Sequence, residues 1–180
     1  MDPSAFKQIF DDNHRKVFNI CLNMLQSVED AEDITQEVLL EVHNSAHSFD
    51  NRSLVSTWVY RIAVNKSLDF LKAKTRKKRF AFITQLFHPI TGEVQHDVAQ
   101  FDHPGALLEN KERTQILFAT LNQLPANQRS AFVLSKMEGF SHKEIALIMK
   151  LSEKAVEGLV RRAKDNMREL LGKMYEERGI

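Results

Sequence analysis

The sequence has few of the residues that build disulfide bonds, membrane spans and β-rich folds. Its 180 residues include one cysteine, Cys21, which excludes an internal disulfide and fits a reducing cytosol. No apolar run reaches the roughly 18 residues of a membrane span, and the N-terminus is polar and acidic, so we expect neither a transmembrane segment nor a signal peptide. Glycine occurs only six times, and no segment shows sustained period-two alternation. These absences predict a cytoplasmic, helical protein.

The residues that usually carry enzymatic or metal chemistry are scattered. Of the seven histidines, only His43 and His47 share a helical face. They lack the glutamate of a His-Glu-x-x-His zinc motif, and a single cysteine adds little to a ligand set. The isolated glycines form no phosphate-binding loop. We therefore expect a protein that is not an enzyme and that needs neither a metal nor another cofactor.

Charge is divided sharply along the chain, although the net charge is only +1. The segment 29–50 carries seven carboxylates and no lysine or arginine, whereas the segment 51–79 carries nine basic residues against one acid, Asp69. Such clusters repel themselves, so partners of the opposite sign are the natural reason for keeping them. The acidic segment predicts a basic protein partner. The basic segment, which contains the only Trp, predicts nucleic acid.

Helical periodicity runs through both segments. The acidic segment repeats apolar residues at spacings of three and four, which form one helical face: Ala31, Ile34, Val38 and Val42. Its carboxylates occupy the opposite face. The basic segment predicts a helix over about residues 55–74, whose polar stripe holds Trp58, Arg61, Asn65 and Lys72. The only Trp of the chain is therefore expected beside basic and amide side chains.

A linker is expected between two helical domains. Residues 85–105 contain two His-Pro pairs and no basic residue, and a proline biases the residue before it away from helix. We place the linker at 81–104, between an N-terminal domain, 1–80, and a C-terminal domain, 105–180. Its first part, Phe80–Phe87, is too apolar for a free tether and is expected to dock on a surface. The predicted fold is all-α, with two small helical domains and a flexible linker.

The C-terminal domain carries the pattern of a helix-turn-helix. Ser141 and Glu144 form a capping box that opens a short helix, and Ser152 is placed as the N-cap of the next helix. The second helix buries residues at spacings of three and four, and its outward face is rich in basic residues around the small Gly158. Such a helix is expected to enter a DNA major groove. A plain helical hairpin with a solvated charged face is the alternative.

Three stretches of the chain together resemble the conserved regions of extracytoplasmic-function (ECF) sigma factors. They are DAEDITQEV, FDNRSLVSTWVYRIAVNKSLDFLKAKTRKKR and LPANQRSAFVLSKMEGFSHKEIALIMKLSEKAVEGLVRRA. The resemblance covers about residues 5–80 and 106–172, which is nearly everything except the linker. This family consists of bacterial sigma subunits that bind core RNA polymerase and direct it to promoters. The resemblance therefore implies core RNA polymerase and promoter DNA as partners, together with an anti-sigma factor that restrains the protein.

The resemblance also implies roles for three groups of residues. The acidic helix would dock on the clamp helices of the largest polymerase subunit through Asp30, Asp33, Gln36 and Glu37. The promoter −10 element would be read by the loop Asp50–Ser56 and the next helix, with Trp58, Arg61, Asn65, Lys66, Lys72, Lys77, Lys78 and Arg79. The −35 element would be read by the helix-turn-helix, with Lys154, Glu157, Gly158, Arg161, Arg162 and Lys164. Glu157 departs from the family pattern, because this position is often basic in relatives.

Two other classes of protein compete with this interpretation. A stand-alone helix-turn-helix regulator would bind DNA tightly without polymerase and would have a dimerisation surface, whereas a sigma factor binds weakly alone. An anti-sigma interaction protein would lack the basic, Trp-bearing helix. The role of Trp58 is also open at this point, because its ring could stack on an unpaired base or fill the core.

Overall fold

The computed structural model describes residues 3–46, 54–87 and 111–178, with side chains described over 6–46, 54–77 and 112–176. Within these ranges the chain forms helices and no strand, so the predicted all-α fold is confirmed. In chain order the helices are α1 (Pro3–Leu25), α2 (Val28–Ser45), α3 (Val55–Phe87), α4 (Lys111–Gln123), α5 (Ala126–Phe132), α6 (His142–Met149) and α7 (Glu153–Arg178). None of these helices, as far as they are described, has the length and apolar content needed to cross a membrane.

The helices α1, α2 and α3 pack on one another and form the N-terminal domain. The turn from α1 to α2 is tight, because Gln26 has a positive φ of 57° and its N–H donates to the carbonyl of Leu22 at 2.8 Å. Ser27 then caps α2 by accepting the N–H of Asp30. The residues predicted to form the inner face of α2 are all buried: Ala31, Ile34, Val38 and Val42. Cys21 is also buried, and this burial raises the pKa of its thiol to about 11.

Helix α3 is longer than its sequence pattern predicts. The pattern gives a helix over about residues 55–74, whereas α3 continues to Phe87, which lies within the segment assigned to the linker. No glycine or proline occurs between Val55 and Phe87, so no helix-breaking residue precedes Pro89. Residues 88–110 and the side chains of 78–87 lie outside the described part, so the predicted docking of Phe80–Phe87 stays a prediction.

The helices α4 to α7 form the C-terminal domain. α5 runs directly into a π-helical segment, Val133–Met137, which the sequence does not predict. Glu138 follows the segment as its C-cap, and the next residue, Gly139, has a φ of 77°, the left-handed conformation expected of a glycine after a helix end. α6 and α7 then form the predicted helix-turn-helix. Lys150 closes α6 in the left-handed region with a φ of 54°, and the hydroxyl of Ser152 accepts the N–H of Ala155 at 3.2 Å to open α7.

The predicted capping box of α6 is present. The hydroxyl of Ser141 accepts the N–H of Glu144 at 3.3 Å, and the carboxylate of Glu144 accepts the N–H of Ser141 at 2.8 Å. The same carboxylate accepts the Ser141 hydroxyl at 2.7 Å. Because these donors favour the ionised form, they lower the pKa of Glu144. The short helix of the helix-turn-helix is thus fixed at its start by local hydrogen bonds.

The two domains are in direct contact, which the sequence pattern does not predict. α6 packs on α3, and the α5–π segment packs on α3 and α1. Arg129 of α5 crosses the boundary: its Nη1 donates to the carbonyl of Met24 at 3.2 Å, and its Nη2 donates to the carbonyl of Asn122 at 2.6 Å. Its side chain is buried without an acidic partner in these contacts, and desolvation lowers the pKa of Arg129 to about 10. Buried apolar side chains of both domains form one cluster.

Candidate polymerase and promoter interfaces

The acidic face of α2 is exposed along its length. Asp33, Gln36 and Glu37 all lie on this face, and Asp30 is half-buried at its N-terminal end. The arrangement follows from the helical period, since the apolar residues between them turn inward. The structure therefore brings the four residues predicted to contact polymerase onto one surface, Asp30, Asp33, Gln36 and Glu37.

One apolar residue of this face is not predicted by the sequence pattern. Leu40 is 61% exposed and lies one helical turn after Gln36 and Glu37. The signal in the sequence is the pair Leu39–Leu40, because Leu40 comes four residues after Gln36 and three after Glu37, the spacing that places side chains on one helical face. Leu39 is the buried member. Leu40 thus places an apolar side chain within an otherwise polar and acidic surface.

Two ion pairs join the acidic face of α2 to the basic helix α3. The ammonium of Lys66 lies 3.2 Å from Glu37 Oε2, and the ammonium of Lys74 lies 3.1 Å from Asp30 Oδ2. Each pair combines a predicted polymerase contact with a basic residue of the predicted DNA-binding helix. Exposed pairs of this kind contribute about 0.2–1 kcal/mol each, so a competing partner can replace them readily.

The predicted −10 residues at the start of α3 differ in their surroundings. Asn65 is exposed, and Trp58 is half-buried and packs against the core. This packing accounts for part of the Trp58 side chain and leaves another part accessible, so both interpretations of that residue stay open. The first part of the predicted reading loop, 50–53, lies outside the described residues.

Arg61 is engaged by the C-terminal domain. Its Nε and Nη2 both donate to the carbonyl of Leu147 in α6, at 3.2 and 2.8 Å. The neighbouring Tyr60 packs against Phe140, with ring centroids 5.5 Å apart. Desolvation, and to a smaller extent the charge of Glu138, raise the pKa of Tyr60. Two side chains of the predicted −10 helix are therefore occupied by the helix-turn-helix domain.

The basic end of α3 is largely exposed. Lys72 forms an ion pair with Asp69 at 2.9 Å on the helix surface, and Lys77 is exposed. The side chains of Lys78 and Arg79 lie outside the described residues. The described part of this run thus offers cations at the surface, where phosphate groups can approach.

The outward face of α7 is exposed as the sequence predicts. Its basic members are all at the surface: Lys154, Arg161, Arg162 and Lys164. Glu157 is exposed as well, whereas Gly158 is partly covered by the guanidinium of Arg162. A Cβ atom on Gly158 would lie 3.4 Å from Arg162 Nη1. The Arg162 side chain thus folds back over the helix, at a distance where an added methyl group on Gly158 would make an ordinary van der Waals contact.

Within the described residues, no group of three or more His, Cys, Asp or Glu side chains is arranged to hold a metal ion. His43 contacts the ring of Phe6 at 5.1 Å between centroids, and its predicted neighbour His47 lies outside the described part.

Comparison with protein families gives two matches that cover both domains. Residues 9–77 match the model of Sigma-70 region 2, and residues 114–176 match the model of Sigma-70, region 4. The chain is 29% identical to the ECF RNA polymerase sigma-E factor of Escherichia coli K12, over 91% of this chain and 85% of the relative. It is 28% identical to the ECF RNA polymerase sigma factor SigX of Bacillus subtilis, over 96% and 87%, respectively.

Solved structures show the same fold. The sigma factor RpoE, in complex with the anti-sigma factor NepR from Bartonella quintana, aligns over 93% of this chain and 97% of its own, with a TM-score of 0.68 and 24% identity. CnrH, in complex with the cytosolic domain of CnrY, aligns over 96% and 90% with a TM-score of 0.66 and 21% identity. With regions 2 and 4 both matched and ECF sigma factors as its relatives, this chain belongs to the sigma-70 family as an extracytoplasmic-function sigma factor.

Proposed function

We propose that the sigma function of this chain is divided among three helices. The exposed face of α2 binds core RNA polymerase, α3 reads and melts the −10 element, and α7 reads the −35 element. The observation that carries the proposal is the difference in charge between elements: the exposed face of α2 presents carboxylates, and that of α3 presents mainly cations. The exposed residues of α7 are of mixed charge and include the basic side chains Lys154, Arg161, Arg162 and Lys164. An acidic surface matches a basic protein partner, and the basic surfaces match DNA.

The polymerase contact is assigned to Asp30, Asp33, Gln36 and Glu37, with Leu40 among them. Interfaces draw much of their binding energy from apolar side chains in a desolvated centre, while surrounding charges set register and association rate. Leu40 is suited to the first role because burying its exposed apolar side chain against a partner would lower the free energy of the complex. The carboxylates are suited to the second. This surface is therefore a specific docking face rather than a general negative patch.

The −10 contact is assigned to the helix α3. Asn65 is exposed and carries an amide that can pair with a base edge through two hydrogen bonds. The half-exposed Trp58 offers a ring on which an unpaired base can stack, and such stacking contributes about 1–3 kcal/mol per base. Lys66, Lys72 and Lys77 supply charge for the phosphates. Together these side chains favour an open strand over an intact duplex.

The −35 contact is assigned to the outward face of α7. The N-terminal half of α7 follows the tight turn of the helix-turn-helix. In a recognition helix, this N-terminal half is the part that contacts base edges. Arg161 and Arg162 bring guanidinium groups to this face, and Glu157 adds an acceptor that suits cytosine N4. The acidic Glu157 favours a −35 sequence that differs from those of relatives with a basic residue at this position.

An anti-sigma factor is proposed as a further partner. Two proteins of the same fold, the sigma factor RpoE and CnrH, are solved in complexes, the first with the anti-sigma factor NepR from Bartonella quintana and the second with the cytosolic domain of CnrY. A protein that covered the acidic face of α2 or the basic face of α3 here would block polymerase or promoter binding directly. A stand-alone regulator is the weaker alternative, because such a protein has no need for the exposed α2 face.

The test is reconstitution with core RNA polymerase. The protein is used in a pull-down with core enzyme and then in run-off transcription from a library with randomised −10 and −35 windows. We expect co-purification and transcripts enriched for one pair of elements, with core enzyme alone as the control. Specific DNA binding in the absence of core enzyme, together with no enrichment in its presence, would favour the regulator.

A further inference from the structure

A cavity of about 550 Å³ lies beside the basic part of α3. One of its walls comes from α3, and the other comes from the turn between α4 and α5. The lining residues of α3 are Leu71, Lys72, Thr75 and Arg76, whose spacing places them on one helical face. Pockets that bind small molecules commonly have volumes of about 300–1,000 Å³. The cavity therefore has the size of a small-molecule site.

The charged residues that line the cavity are cations. Lys72 and Arg76 line it from α3 with exposed side chains, and Arg129 lines it from α5 with a buried side chain. No carboxylate is found among the described residues that form its walls. Lys72 pairs with Asp69 on the helix surface, and an exposed pair of this kind is readily replaced by another anion. The cavity is therefore expected to attract negative charge.

Arg129 brings a buried positive charge to the cavity. Its Nη1 and Nη2 donate to the carbonyls of Met24 and Asn122, and its Nε is buried without a hydrogen-bond partner among the described residues. A buried polar atom that is not paired is unfavourable. Desolvation also lowers the pKa of this guanidinium to about 10. An anion in the cavity that Arg129 lines would stabilise the charged form of its side chain.

Apolar side chains form much of the remaining wall. Leu71 lines the cavity from α3, and Leu124 and Pro125 line it from the turn between α4 and α5. A fully hydrated inorganic ion makes no use of such a surface, whereas a ring compound is stabilised by burying apolar area against it. The side chains of Thr75 and Asn122 add polar groups that can orient a bound molecule. The lining thus matches a ligand with one charged part and one apolar part.

We propose that this cavity binds a small molecule that carries phosphate on a flat, partly apolar ring, which is the chemistry of a nucleotide. Several cations around one cavity favour a group with more than one negative charge, so phosphate fits better than a single carboxylate. The guanidinium of Arg76 can hold phosphate oxygens through two hydrogen bonds. Neither Arg76 nor Arg129 is assigned to polymerase or to DNA, so this site is additional to the proposed function.

The test is isothermal titration calorimetry of the full chain without DNA or polymerase. The ligands are ADP, GDP, CDP and UDP, with inorganic diphosphate as the charged part alone and the matching nucleosides as the uncharged ring compounds. We expect at least one nucleotide to bind about tenfold or more tightly than either of its parts, because the cations and the apolar wall both contribute. Inorganic diphosphate that binds as tightly as every nucleotide overturns the proposal, and so does an absence of measurable nucleotide binding.

Two substitutions test the site from its opposite walls. Arg76→Glu reverses a cation on α3, and Ala126→Glu adds a carboxylate in the first turn of α5, where an acid is compatible with a helix. Each should lower nucleotide affinity by about tenfold or more. The matched control is Arg113→Glu, which makes the same change as Arg76→Glu at an exposed position of α4 outside the cavity. It should bind nucleotides as the wild type does.

Far-UV circular dichroism and a melting curve show whether each variant is folded, and the variants on the two walls serve as alternatives if one of them does not fold. Wild-type nucleotide affinity in a folded Arg76→Glu or Ala126→Glu protein overturns the proposal. An equal loss of affinity in Arg113→Glu also overturns it, because binding would then respond to overall charge.

Lys72 connects the cavity to promoter binding, a consequence that rests on the proposed function. Lys72 is assigned to phosphates of the −10 element, so a bound nucleotide and an unpaired −10 strand should compete for it. Repeating the titration with an excess of a single-stranded −10 oligonucleotide should weaken nucleotide binding. Nucleotide binding that the oligonucleotide leaves unchanged would refute the assignment of Lys72 to DNA, whereas the titration without DNA decides the nucleotide site itself.

Discussion

Gly158 lies within α7, the predicted recognition helix, next to the folded-back side chain of Arg162. Glycine within a helix destabilises it by about 0.5–1 kcal/mol relative to alanine. The guanidinium of Arg162 lies over the position that a Cβ would occupy, with Nη1 at 3.4 Å from it. Arg161 precedes Arg162 in the chain, and its side chain is exposed and does not lie over Gly158. Two adjacent arginines of the same face are therefore held differently, and we expect them to act differently on DNA.

The first prediction separates these two arginines. Arg161→Ala should relax sequence preference at one −35 position, at a cost of about 1–3 kcal/mol for the preferred base. Arg162→Ala should weaken binding to all −35 sequences alike, because a phosphate contact carries no sequence information. The measurement is selection of −35 sequences by each holoenzyme from a randomised library. Identical selection profiles for wild type and Arg161→Ala would contradict the base-reading role.

Gly158→Ala provides the control for this assignment. The added methyl group would meet the Arg162 guanidinium at an ordinary van der Waals distance of 3.4 Å, so Arg162 can stay in place and the variant should bind −35 sequences as the wild type does. In an Arg162→Ala background it should have no further effect on DNA binding. The melting temperature should not fall, because alanine is the better helix former.

The second prediction concerns the capping box of α6 and its dependence on pH. Ser141→Ala should destabilise the protein by about 1 kcal/mol at neutral pH. The folded pKa of Glu144 is lowered, so its contribution is present above its unfolded pKa of about 4.3 and is lost as the pH falls through the lower folded pKa. Urea denaturation of wild type and variant between pH 7 and pH 3 measures the difference. The gap between the two proteins should narrow toward pH 3, and a constant gap would contradict the role of the carboxylate.

At the scale of elements, we assign α2 to the contact with polymerase, and its carboxylates also pair with Lys66 and Lys74 of α3. The third prediction tests its exposed face with Asp33→Lys combined with Glu37→Lys. Folding should be preserved, since surface changes usually stay within about 0.5 kcal/mol. Affinity for core polymerase should fall, because the variant presents cations to a basic partner. Fluorescence anisotropy with labelled protein and core enzyme gives the affinity, and a melting curve tests the fold.

A matched pair of acids is available on α1. Asp11→Lys with Asp12→Lys makes the same charge change at two exposed positions outside the α2 face. It should leave polymerase binding close to that of wild type. Loss of binding in both double variants would show a response to overall charge, and unchanged binding in the α2 variant would remove the docking assignment.

The fourth prediction separates stacking from phosphate binding on α3. Trp58→Ala should impair promoter opening, measured by permanganate reactivity of melted thymines, and should largely preserve the closed complex. Replacing Lys77, Lys78 and Arg79 by Gln should weaken binding to every sequence and flatten its salt dependence by nearly one unit of slope for each phosphate that is no longer neutralised. A Trp58→Ala protein that melts promoters normally, and is less stable, would assign the ring wholly to the core.

The sequence predicts those features of the elements that depend on neighbours a few residues apart. The buried face of α2, the capping box at Ser141 and the cap at Ser152 all follow from local spacing, and the structure has each of them. The sequence pattern does not predict the end of α3 at Phe87, because apolar residues before a His-Pro pair are as typical of a docked linker as of a helix. The pairing of Lys16 with Glu138 joins residues 122 positions apart, and no periodicity within one helix indicates such a contact.

For the whole molecule, the length of the linker decides how the two DNA-reading domains can work together. The 23 residues from 88 to 110 could span roughly 80 Å if fully extended, but the ends of a relaxed coil of this length average about 26 Å apart. Promoter elements separated by roughly 70 Å therefore require a stretched linker. Each domain alone buries too little DNA-facing surface for tight binding, since single modules bury about 600–1,000 Å². We therefore expect core polymerase to be the scaffold that holds the domains apart.

The fifth prediction follows from this geometry. The isolated protein should show feeble affinity for a complete promoter, and the affinity should rise by orders of magnitude when core polymerase is added. DNase footprinting of one promoter with free protein, core enzyme and holoenzyme measures the difference. A footprint from the free protein as strong as that of the holoenzyme would instead indicate a self-sufficient regulator.

The π-helical segment Val133–Met137 bears on how this architecture can vary among related chains. A π-helical turn holds one more residue than an α-helical turn, and each residue turns an α-helix by about 100°. Because the extra residue is taken up within one turn, deleting it would restore a regular α-helical turn and leave the residues after it facing nearly the same way, so Glu138 would still face Lys16 and Asn23. Deleting a residue from the regular part of α5 would instead turn Glu138 away from these partners by about 100°. The chain before Glu138 can therefore change in length by one residue at the π-helical segment without disturbing the contact between the domains.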